Sequence, residues 1–332
     1  MNNLLPKQLQ LPQLTIAEAG ASKHLEAEAA KRFGPRGFVL RRGMRKSGEP
    51  TTDEVDALRQ EFAANRPDWV AAIGGGSVLD LAKAAAGLVD APERTAYYQR
   101  NPQEIPEAGI PLIAVPTTAG TGSEATVVSV LTDTAVNFKQ SIRHPSWMPK
   151  MVILDSDLLD GCPTRVIAAS GADAFVQAYE SYVSRYADPF TQALAMTAME
   201  TIREMLPRLH RGERDAAMPM LQASYITGLA FSHSRLGLIH GFAHPLGARY
   251  HVPHGEVCAA CLKAAVKFNA DSYRPDIDWL EEILPESPFR GKPILDREAI
   301  IDEVLGSGST AANPREVTAE AAGHLLDEIF GG

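Results

Sequence analysis

Short apolar runs alternate with helical patterns in the first half of the chain. Four runs bounded by turn-forming residues have the length of buried strands: residues 37–40 (GFVL), 69–73 (WVAAI), 110–115 (IPLIAV) and 151–154 (MVIL). Helical patterns occupy residues 53–64, where acidic residues in the first turn suit the helix dipole, and residues 77–88, which are rich in Ala and Leu. Strands that alternate with helices predict βαβ units and a mainly parallel sheet.

The chain from about residue 159 onward has helical periodicity and hardly any strand signal. The predicted long helices cover residues 164–186, 190–210, 215–232, 238–250 and 254–269, and a last helix covers residues 318–329. Residues 272–312 are richer in Pro, Gly and charge, which indicates loops with a short helix. We therefore expect an α/β domain over residues 1–158 and an all-helical domain over residues 159–332.

Composition narrows the class of protein. The 332 residues carry a net charge of −9, with 45% hydrophobic and 22% charged residues, which is ordinary globular usage. The acidic balance argues against a nucleic-acid partner. No apolar run reaches the ~18 residues that span a bilayer, so a membrane partner is not expected. The N-terminal sequence also lacks the pattern of a secretory signal, so we expect a cytoplasmic protein.

Gly74, Gly75, Gly76 and Ser77 lie between a predicted strand and a predicted helix. Glycine lets a phosphate approach the unpaired N–H groups and the positive dipole end of a helix N-terminus. The spacing is not that of the G-x-G-x-x-G dinucleotide fingerprint. Two interpretations therefore remain open, a pyrophosphate cradle and a tight turn that needs positive φ.

A second glycine-rich segment, PTTAGTGSE at residues 116–124, also follows a predicted strand. Hydroxyl groups and glycines at the carboxyl end of a strand suit a ligand crevice, because open α/β sheets bind ligands there. A solvated Ser/Thr/Gly loop is the alternative.

Acidic and imidazole side chains are concentrated in the second half. Asp173, Gln177 and Glu180 are spaced i, i+4 and i+7, which places them on one helix face. Four of the nine histidines lie within fifteen residues: His240, His244, His251 and His254. Imidazoles with a carboxylate are the usual ligands of a divalent transition metal, so the cluster predicts a metal or catalytic site.

The three cysteines, Cys162, Cys258 and Cys261, are too few for a disulfide scaffold and fit a reducing compartment. Cys258 and Cys261 form a C-x-x-C without the second pair that a zinc site needs and without a thioredoxin-like setting. We expect them to be small buried thiols on an apolar helix.

Five blocks occur in a family-specific order over roughly residues 70–330: GGGSVLDLAK (74–83), PTTAGTGSE (116–124), GADAFVQAYESYVS (171–184), HGFAHPLGARYHVPHG (240–255) and NPREVT (313–318). Together they resemble the group III, iron-containing alcohol dehydrogenase family of the dehydroquinate-synthase-like superfamily. The resemblance implies a Rossmann-like dinucleotide-binding α/β domain followed by an all-α domain that carries the metal and the substrate.

The resemblance also implies roles for single residues. The cofactor would contact a set of residues in the α/β domain: Gly74, Gly75, Gly76, Ser77, Asp80, Thr117, Thr118, Thr121 and Lys139. The metal ligands of the family fall on four residues of the helical domain: Asp173, Gln177, His240 and His254. His244 matches a pocket histidine and is the candidate to relay a proton to the substrate oxygen, because an imidazole titrates near neutrality.

Two departures from the family pattern change the expected chemistry. Gln177 stands where the family has a ligand histidine, and an amide oxygen is a harder and weaker donor than imidazole. An iron or zinc site and a metal-independent reductase therefore both remain open. The resemblance also implies that a helix and a strand of the family are missing near residues 48–50, so the first domain is expected to be shortened.

The segment before that point is basic. Where the family often has an acidic residue for the adenosine ribose, this chain has Arg41, Arg42, Arg45 and Lys46. Basic groups suit a 2′-phosphate, which favours NADPH over NADH. A solvated basic turn is the alternative.

The leading hypothesis is an NAD(P)H-dependent, metal-assisted reductase of a small aldehyde or ketone that works reversibly as an alcohol dehydrogenase. The alternatives are a metal-independent reductase of the same fold, a lyase of the superfamily and a degenerate member without catalysis. A missing edge strand would expose a sheet edge, which is normally covered or paired, so we expect a homodimer.

Overall fold

The computed structural model describes residues 4–41, 43–44, 48–107, 109–136, 138–284 and 286–331. These residues form two compact units. One unit is Gln10–Cys162, and the other runs from Pro163 to the end of the described chain together with residues 4–9. The division falls a few residues after the boundary expected at residue 158, and the assignment of 1–158 and 159–332 as domains stays a prediction.

The first unit contains a five-stranded parallel sheet and a separate antiparallel hairpin. Its strands are β1 (Leu14–Ala17), β2 (Gly37–Arg41), β3 (Trp69–Gly74), β4 (Leu112–Pro116), β5 (Val128–Asp133), β6 (Phe138–Arg143) and β7 (Met151–Leu154). The parallel strands are ordered β1-β7-β4-β3-β2, and β5 pairs with β6. Its helices are α1 (Leu25–Phe33), α2 (Thr52–Asn65), α3 (Gly76–Gly87) and α4 (Thr95–Arg100). The predicted parallel sheet is confirmed.

Strand β3 is buried on both faces, which explains its unbroken apolar sequence. Val70 and Ala72 belong to an apolar cluster with residues of α2 and α3. Trp69 and Ala71 belong to a second cluster with residues of α1. Helices therefore cover the sheet on both sides, and the carboxyl end of β3 leads directly into α3.

Elements with a weak sequence signal were not predicted. Strand β1 and the hairpin strands are short and only half-buried, so their apolar residues do not form continuous runs. Helix α1 and helix α4 have nine and six residues, which is too short for a clear helical period.

The second unit consists of helices in the part of the chain that the structure describes. They are α5 (Thr164–Val183), α6 (Pro189–His210), α7 (Ala217–Ser234), α8 (Leu238–Tyr250), α9 (His254–Phe268), α10 (Arg297–Gly306) and α11 (Ala319–Gly331). The predicted fold class, an α/β part followed by a helical part, is confirmed. Among the described residues, no helix combines the length and the apolar character needed to cross a membrane.

Helix α5 is the central element of the second unit and packs against α6, α7 and α9. Gly171 on α5 and Gly255 on α9 allow close helix contacts. A Cβ on Gly171 would lie 2.4 Å from the Leu206 side chain, and a Cβ on Gly255 would lie 2.2 Å from the carbonyl oxygen of Ala169. The first turn of α9 therefore lies directly against the backbone of α5.

A capping box starts helix α2. The hydroxyl of Thr51 accepts a hydrogen bond from the Glu54 backbone N–H at 3.1 Å, and the Glu54 carboxylate accepts one from the Thr51 N–H at 3.0 Å. Two N–H groups at the helix start are thereby satisfied by side chains rather than by water.

We expect Thr51→Ala to lower the free energy of unfolding by about 1 kcal/mol, because the N-cap acceptor is lost. Urea-induced unfolding measures the effect. Thr51→Ser is the matched control, since it keeps the hydroxyl and should stay close to the wild type. Equal losses in both variants would assign the effect to the methyl group of Thr51 and not to the cap.

Candidate functional site

The glycine-rich turn joins strand β3 to helix α3. Gly74 ends the strand, Gly75 is the N-cap with a φ of −74°, and Gly76 is the first helical residue. None of the three glycines has positive φ. The interpretation as a turn that merely needs positive φ is therefore wrong.

Close approach explains the glycines instead. A Cβ on Gly74 would lie 2.6 Å from the Val78 side chain, and a Cβ on Gly76 would lie 2.8 Å from that of Thr121. The Thr117 N–H also donates to the carbonyl oxygen of Gly74 at 3.0 Å. The loop at residues 116–124 thus lies against the turn. This placement is required both by a pyrophosphate cradle at the turn and by a ligand crevice at the loop.

The start of helix α3 fits an anionic ligand. No side chain in the described residues caps its first turn. Ser77 and Thr118 are half-buried beside the turn, and Thr121 is exposed. Backbone N–H groups, hydroxyls and the positive end of the helix dipole are the donors that a pyrophosphate needs.

Lys83 fastens the loop to helix α3. Its side chain is 1% exposed, and its ammonium lies 2.7 to 3.2 Å from four oxygens, which belong to Ser123 (carbonyl and Oγ), Thr126 and Val128. Burial lowers the pKa of Lys83 to about 8, although the carboxylates of Asp80 and Glu124 oppose the shift.

Asp80 also holds the loop against helix α3. One carboxylate oxygen accepts from the Ser123 hydroxyl at 2.5 Å, and the other accepts from the Val130 N–H at 2.9 Å. Both oxygens therefore hold the loop and strand β5 in place. A direct contact between Asp80 and a cofactor stays a prediction.

Glu124 lies in the same buried region. Its Oε1 has no hydrogen-bond partner among the described residues. Burial raises the pKa of Glu124 to about 7, although the neighbouring Lys83 ammonium lowers it. The sequence analysis assigned no role to Glu124, and only its place in the PTTAGTGSE block could have drawn attention to it.

The residues expected near the adenosine and the nicotinamide ribose are only partly described. Lys139 on β6 forms an ion pair with Glu49. Arg41 is exposed at the end of β2. Arg42, Arg45 and Lys46 lie outside the described residues, so the expected NADPH preference stays a prediction.

The helical unit brings four donor side chains together from three helices. Asp173 of α5, His240 of α8, and His254 and Cys258 of α9 each offer one ligand atom, and these atoms all lie within 4.8 Å of one another. The Asp173 Oδ1 atom is 3.6 Å from His240 Nε2 and 3.7 Å from His254 Nε2. These separations are too long for hydrogen bonds and leave room for an ion between the atoms.

Glu180 orients His240. Its Oε2 lies 2.6 Å from His240 Nδ1, and its Oε1 accepts from the Ile239 N–H at 2.5 Å. The other ring nitrogen, Nε2, therefore faces Asp173. A carboxylate that fixes the second nitrogen of a histidine is the usual support of a metal-binding imidazole. The i+7 spacing from Asp173 placed Glu180 on the predicted face, but the sequence analysis gave it no role.

The cluster attracts positive charge. Burial opposes protonation of His240, but Cys258, Glu180 and Asp173 outweigh it and raise the pKa of His240 well above its usual range. Burial would likewise raise the pKa of Asp173, but His254 and His240 hold it below its usual range. Asp173 Oδ1 is buried and has no hydrogen-bond partner in the described chain. The donor set and the unpartnered oxygen fit a divalent cation.

Gln177 and His244 occupy distinct positions beside this cluster. The Gln177 Nε2 atom donates to Asp173 Oδ2 at 3.0 Å, and Gln177 Oε1 is buried with no partner among the described residues. The half-buried ring of His244 stacks on that of His254, with centroids 5.6 Å apart and an interplanar angle of 27°. The ligand role of Gln177 and the proton-relay role of His244 stay predictions.

Cys258 is the functional candidate that the sequence analysis missed. It is buried on an apolar helix, as expected, but its Sγ lies 3.6 Å from His254 Nε2 and 3.9 Å from His240 Nε2. The i, i+4 spacing of His254 and Cys258 was the available signal, because it places both on one helix face. The C-x-x-C spacing instead pairs Cys258 with Cys261, which is not part of the cluster.

Comparison with known proteins identifies matches over both units. Residues 16–156 match the model of the family described as iron-containing alcohol dehydrogenase. Residues 167–329 match the model described as Fe-containing alcohol dehydrogenase family, C-terminal.

Two curated relatives show the extent of the similarity. The chain is 40% identical over 255 residues to "Probable alcohol dehydrogenase EutG" of Escherichia coli (strain K12), covering 76% of this chain and 63% of the relative. It is 38% identical over 224 residues to "NADPH-dependent butanol dehydrogenase" of Clostridium saccharobutylicum, covering 67% of this chain and 58% of the relative. The chain thus spans about three fifths of the length of the curated relatives it matches.

A solved structure shares the fold over nearly the whole chain. The sulfoacetaldehyde reductase from Bifidobacterium kashiwanohense, crystallised in complex with NAD+, superposes with a TM-score of 0.90 at 24% identity. The match covers 98% of this chain and 99% of that one.

We expect the free energy of unfolding to fall as the pH rises from about 4.5 to about 7, by an amount on the order of 3 kcal/mol from Glu124 alone. The folded pKa lies above the unfolded one, so the stabilisation is complete below the unfolded pKa and disappears above the folded pKa. Urea unfolding across this pH range measures it. Glu124→Gln should remove the contribution of Glu124 to this slope, whereas the exposed control Glu61→Gln should keep it. A slope unchanged in Glu124→Gln would show that Glu124 does not titrate in this window.

Proposed function

Because the chain belongs to the iron-containing alcohol dehydrogenase family, we propose that it catalyses the NAD(P)H-dependent reduction of a small aldehyde or ketone to an alcohol, and the reverse reaction. The observation that carries the proposal is the convergence of Asp173 Oδ1, His240 Nε2 and His254 Nε2 in the helical unit. The uncapped, glycine-rich start of helix α3 supports the cofactor half of the proposal.

The nicotinamide cofactor supplies the hydride when it is bound. The chain's part is to hold it: Gly75 and Gly76 let its pyrophosphate reach the backbone N–H groups of α3, and Ser77, Thr118 and Thr121 offer hydroxyls beside them. Lys83 and Asp80 keep the loop that carries these threonines at the turn. The basic segment that begins at Arg41 favours NADPH, because it can neutralise a 2′-phosphate.

A divalent metal bound by Asp173, His240 and His254 would polarise the substrate carbonyl as a Lewis acid. Glu180 holds His240 with Nε2 directed at the ligand cluster. Gln177 holds the second carboxylate oxygen of Asp173 through its amide N–H. His244, stacked on His254, relays the proton to the substrate oxygen.

A metal-independent reductase is the second candidate, and Gln177 is the observation that favours it. Its amide replaces an imidazole of the family's ligand set, and its N–H is engaged by Asp173. In that case His240, His244 and His254 stabilise the developing negative charge on the substrate oxygen by hydrogen bonding. Full turnover after exhaustive chelation would favour this candidate.

The setting of the enzyme is also part of the proposal. The three cysteines form no disulfide, which fits the reducing cytoplasm. The substrate is a small molecule, and neither nucleic acid nor membrane is a partner. Strand β2 lies at one end of the parallel sheet, and pairing or covering of this edge in a homodimer would protect it.

Fluorescence titration with NADPH and NADH tests the cofactor site without the substrate. We expect NADPH to bind more tightly than NADH, and Gly76→Ala to weaken both by about tenfold or more, because its Cβ collides with Thr121. Gly306→Ala, a helical position with open space around it, is the matched control. Failure of the wild type to bind either cofactor would overturn the reductase proposal, and equal binding would remove the role of the basic segment.

We expect Asp173→Ala to lose both bound metal and turnover with an aldehyde, because the only carboxylate of the four-residue ligand cluster is gone. Elemental analysis and NADPH oxidation measure the two effects. Asp271→Ala, at an exposed position of the same unit, should change neither. Near-normal turnover in metal-free Asp173→Ala protein would contradict the role of the metal and support the metal-independent candidate.

A further inference from the structure

Four of the six distances between the donor atoms are close to those of a tetrahedral metal site, and all six are within 4.8 Å. With metal bonds of about 2.0–2.1 Å to N and O and about 2.3 Å to S, tetrahedral ligands lie about 3.3–3.4 Å apart for N and O and about 3.5–3.6 Å apart for S and N. The Asp173 Oδ1 atom lies 3.6 and 3.7 Å from the two histidine nitrogens. Cys258 Sγ lies 3.9 and 3.6 Å from the same nitrogens of His240 and His254. Shifts of a few tenths of an ångström would bring these four distances to the tetrahedral values.

Gln177 forms a hydrogen bond with Asp173. An ionised carboxylate only accepts hydrogen bonds, so the amide must present its N–H to Asp173 Oδ2, 3.0 Å away. This contact leaves Asp173 Oδ1, on a side chain that is 3% exposed, as the carboxylate oxygen directed at the two imidazoles. The N–H side of Gln177 therefore positions Asp173, while its Oε1 is buried with no hydrogen-bond partner among the described residues.

The place of Cys258 follows from the geometry of helix α9. His254 and Cys258 share a face of the helix, one turn apart. Gly255 brings this turn against the backbone of α5, where Ala169 precedes Asp173 by one helical turn. Cys261 is equally buried on α9 but does not belong to the ligand cluster. It is thus a natural internal control.

We propose that Cys258 is a metal ligand and completes, with Asp173, His240 and His254, a four-ligand site for a borderline-soft divalent ion. The inference rests on the metal site of the proposed function and changes its chemistry. A thiolate with imidazoles favours zinc over iron(II). One thiolate and one carboxylate also neutralise the charge of the ion, whereas one carboxylate with three imidazoles would leave one positive charge.

Metal binding by Cys258 involves no change of oxidation state. The Sγ–H bond of Cys258 breaks, its proton leaves to solvent, and the sulfur electron pair forms the bond to the metal. If all four residues held a zinc ion, it could polarise a substrate carbonyl only by accepting one more donor, and catalytic zinc sites sometimes become five-coordinate.

Titration of the metal-free chain, residues 1–332, with cobalt(II) tests the inference without any turnover. We expect one cobalt per chain and an intense thiolate-to-cobalt charge-transfer band in the near ultraviolet. Cys258→Ser should abolish the band and weaken zinc binding by at least about 100-fold, the upper end of the loss caused by removing a supporting partner. Cys261→Ser should keep both the band and the affinity. In a competition, wild-type protein should take up zinc in preference to iron(II).

The outcomes separate this inference from the proposed function. Cobalt bound by the wild type without the charge-transfer band would overturn the role of Cys258 and leave the metal site intact. No cobalt bound by the wild type would overturn both. Gln177→Leu, with its circular dichroism checked against the wild type, should keep the band. Loss of metal in Gln177→Leu together with retention in Cys258→Ser would assign the fourth ligand to Gln177.

Discussion

The donor cluster depends on one close contact between two helices. The first turn of α9 can reach α5 only because residue 255 has no Cβ, which would otherwise lie 2.2 Å from the carbonyl oxygen of Ala169. That contact brings His254 and Cys258 to the face of α5 that carries Asp173. A helix separated by the width of one more side chain would remove His254 and Cys258 from the cluster and leave only His240 and Gln177 beside the buried carboxylate of Asp173, which is costly in a protein interior.

The α/β unit uses glycine in the same way. Gly76 lets Thr121 approach the start of α3, and no glycine of that turn has positive φ. The loop is then fixed by the buried ammonium of Lys83, which has four oxygens within hydrogen-bond distance. The glycines thus allow the loop to approach the start of α3, and Lys83 holds the loop there. The uncapped N–H groups at the start of the helix are therefore kept in one geometry relative to the loop.

Gln177, which the resemblance places where a ligand histidine is expected, has a structural role beside Asp173. The amide satisfies one oxygen of Asp173 and leaves the other for the cluster. Glu180 does the corresponding work for His240 by engaging Nδ1. Two buried side chains therefore orient two members of the donor cluster, and Cys258 Sγ lies 3.9 and 3.6 Å from the Nε2 atoms of His240 and His254. A change at one ligand position need not remove a metal site when a neighbouring helix supplies another donor.

The sequence by itself determined the central strands, the long helices and the division into an α/β and a helical part, because long apolar runs and helical periods are local signals. It also placed Asp173, Gln177 and Glu180 on one helix face. Only the tertiary structure decided that Glu180 engages His240, that Gln177 turns to Asp173, and that Cys258 rather than Cys261 joins the cluster. These contacts depend on how helices α5, α8 and α9 pack against one another. Contacts between helices that are far apart in the sequence produce no periodic residue pattern, so the sequence alone does not reveal them.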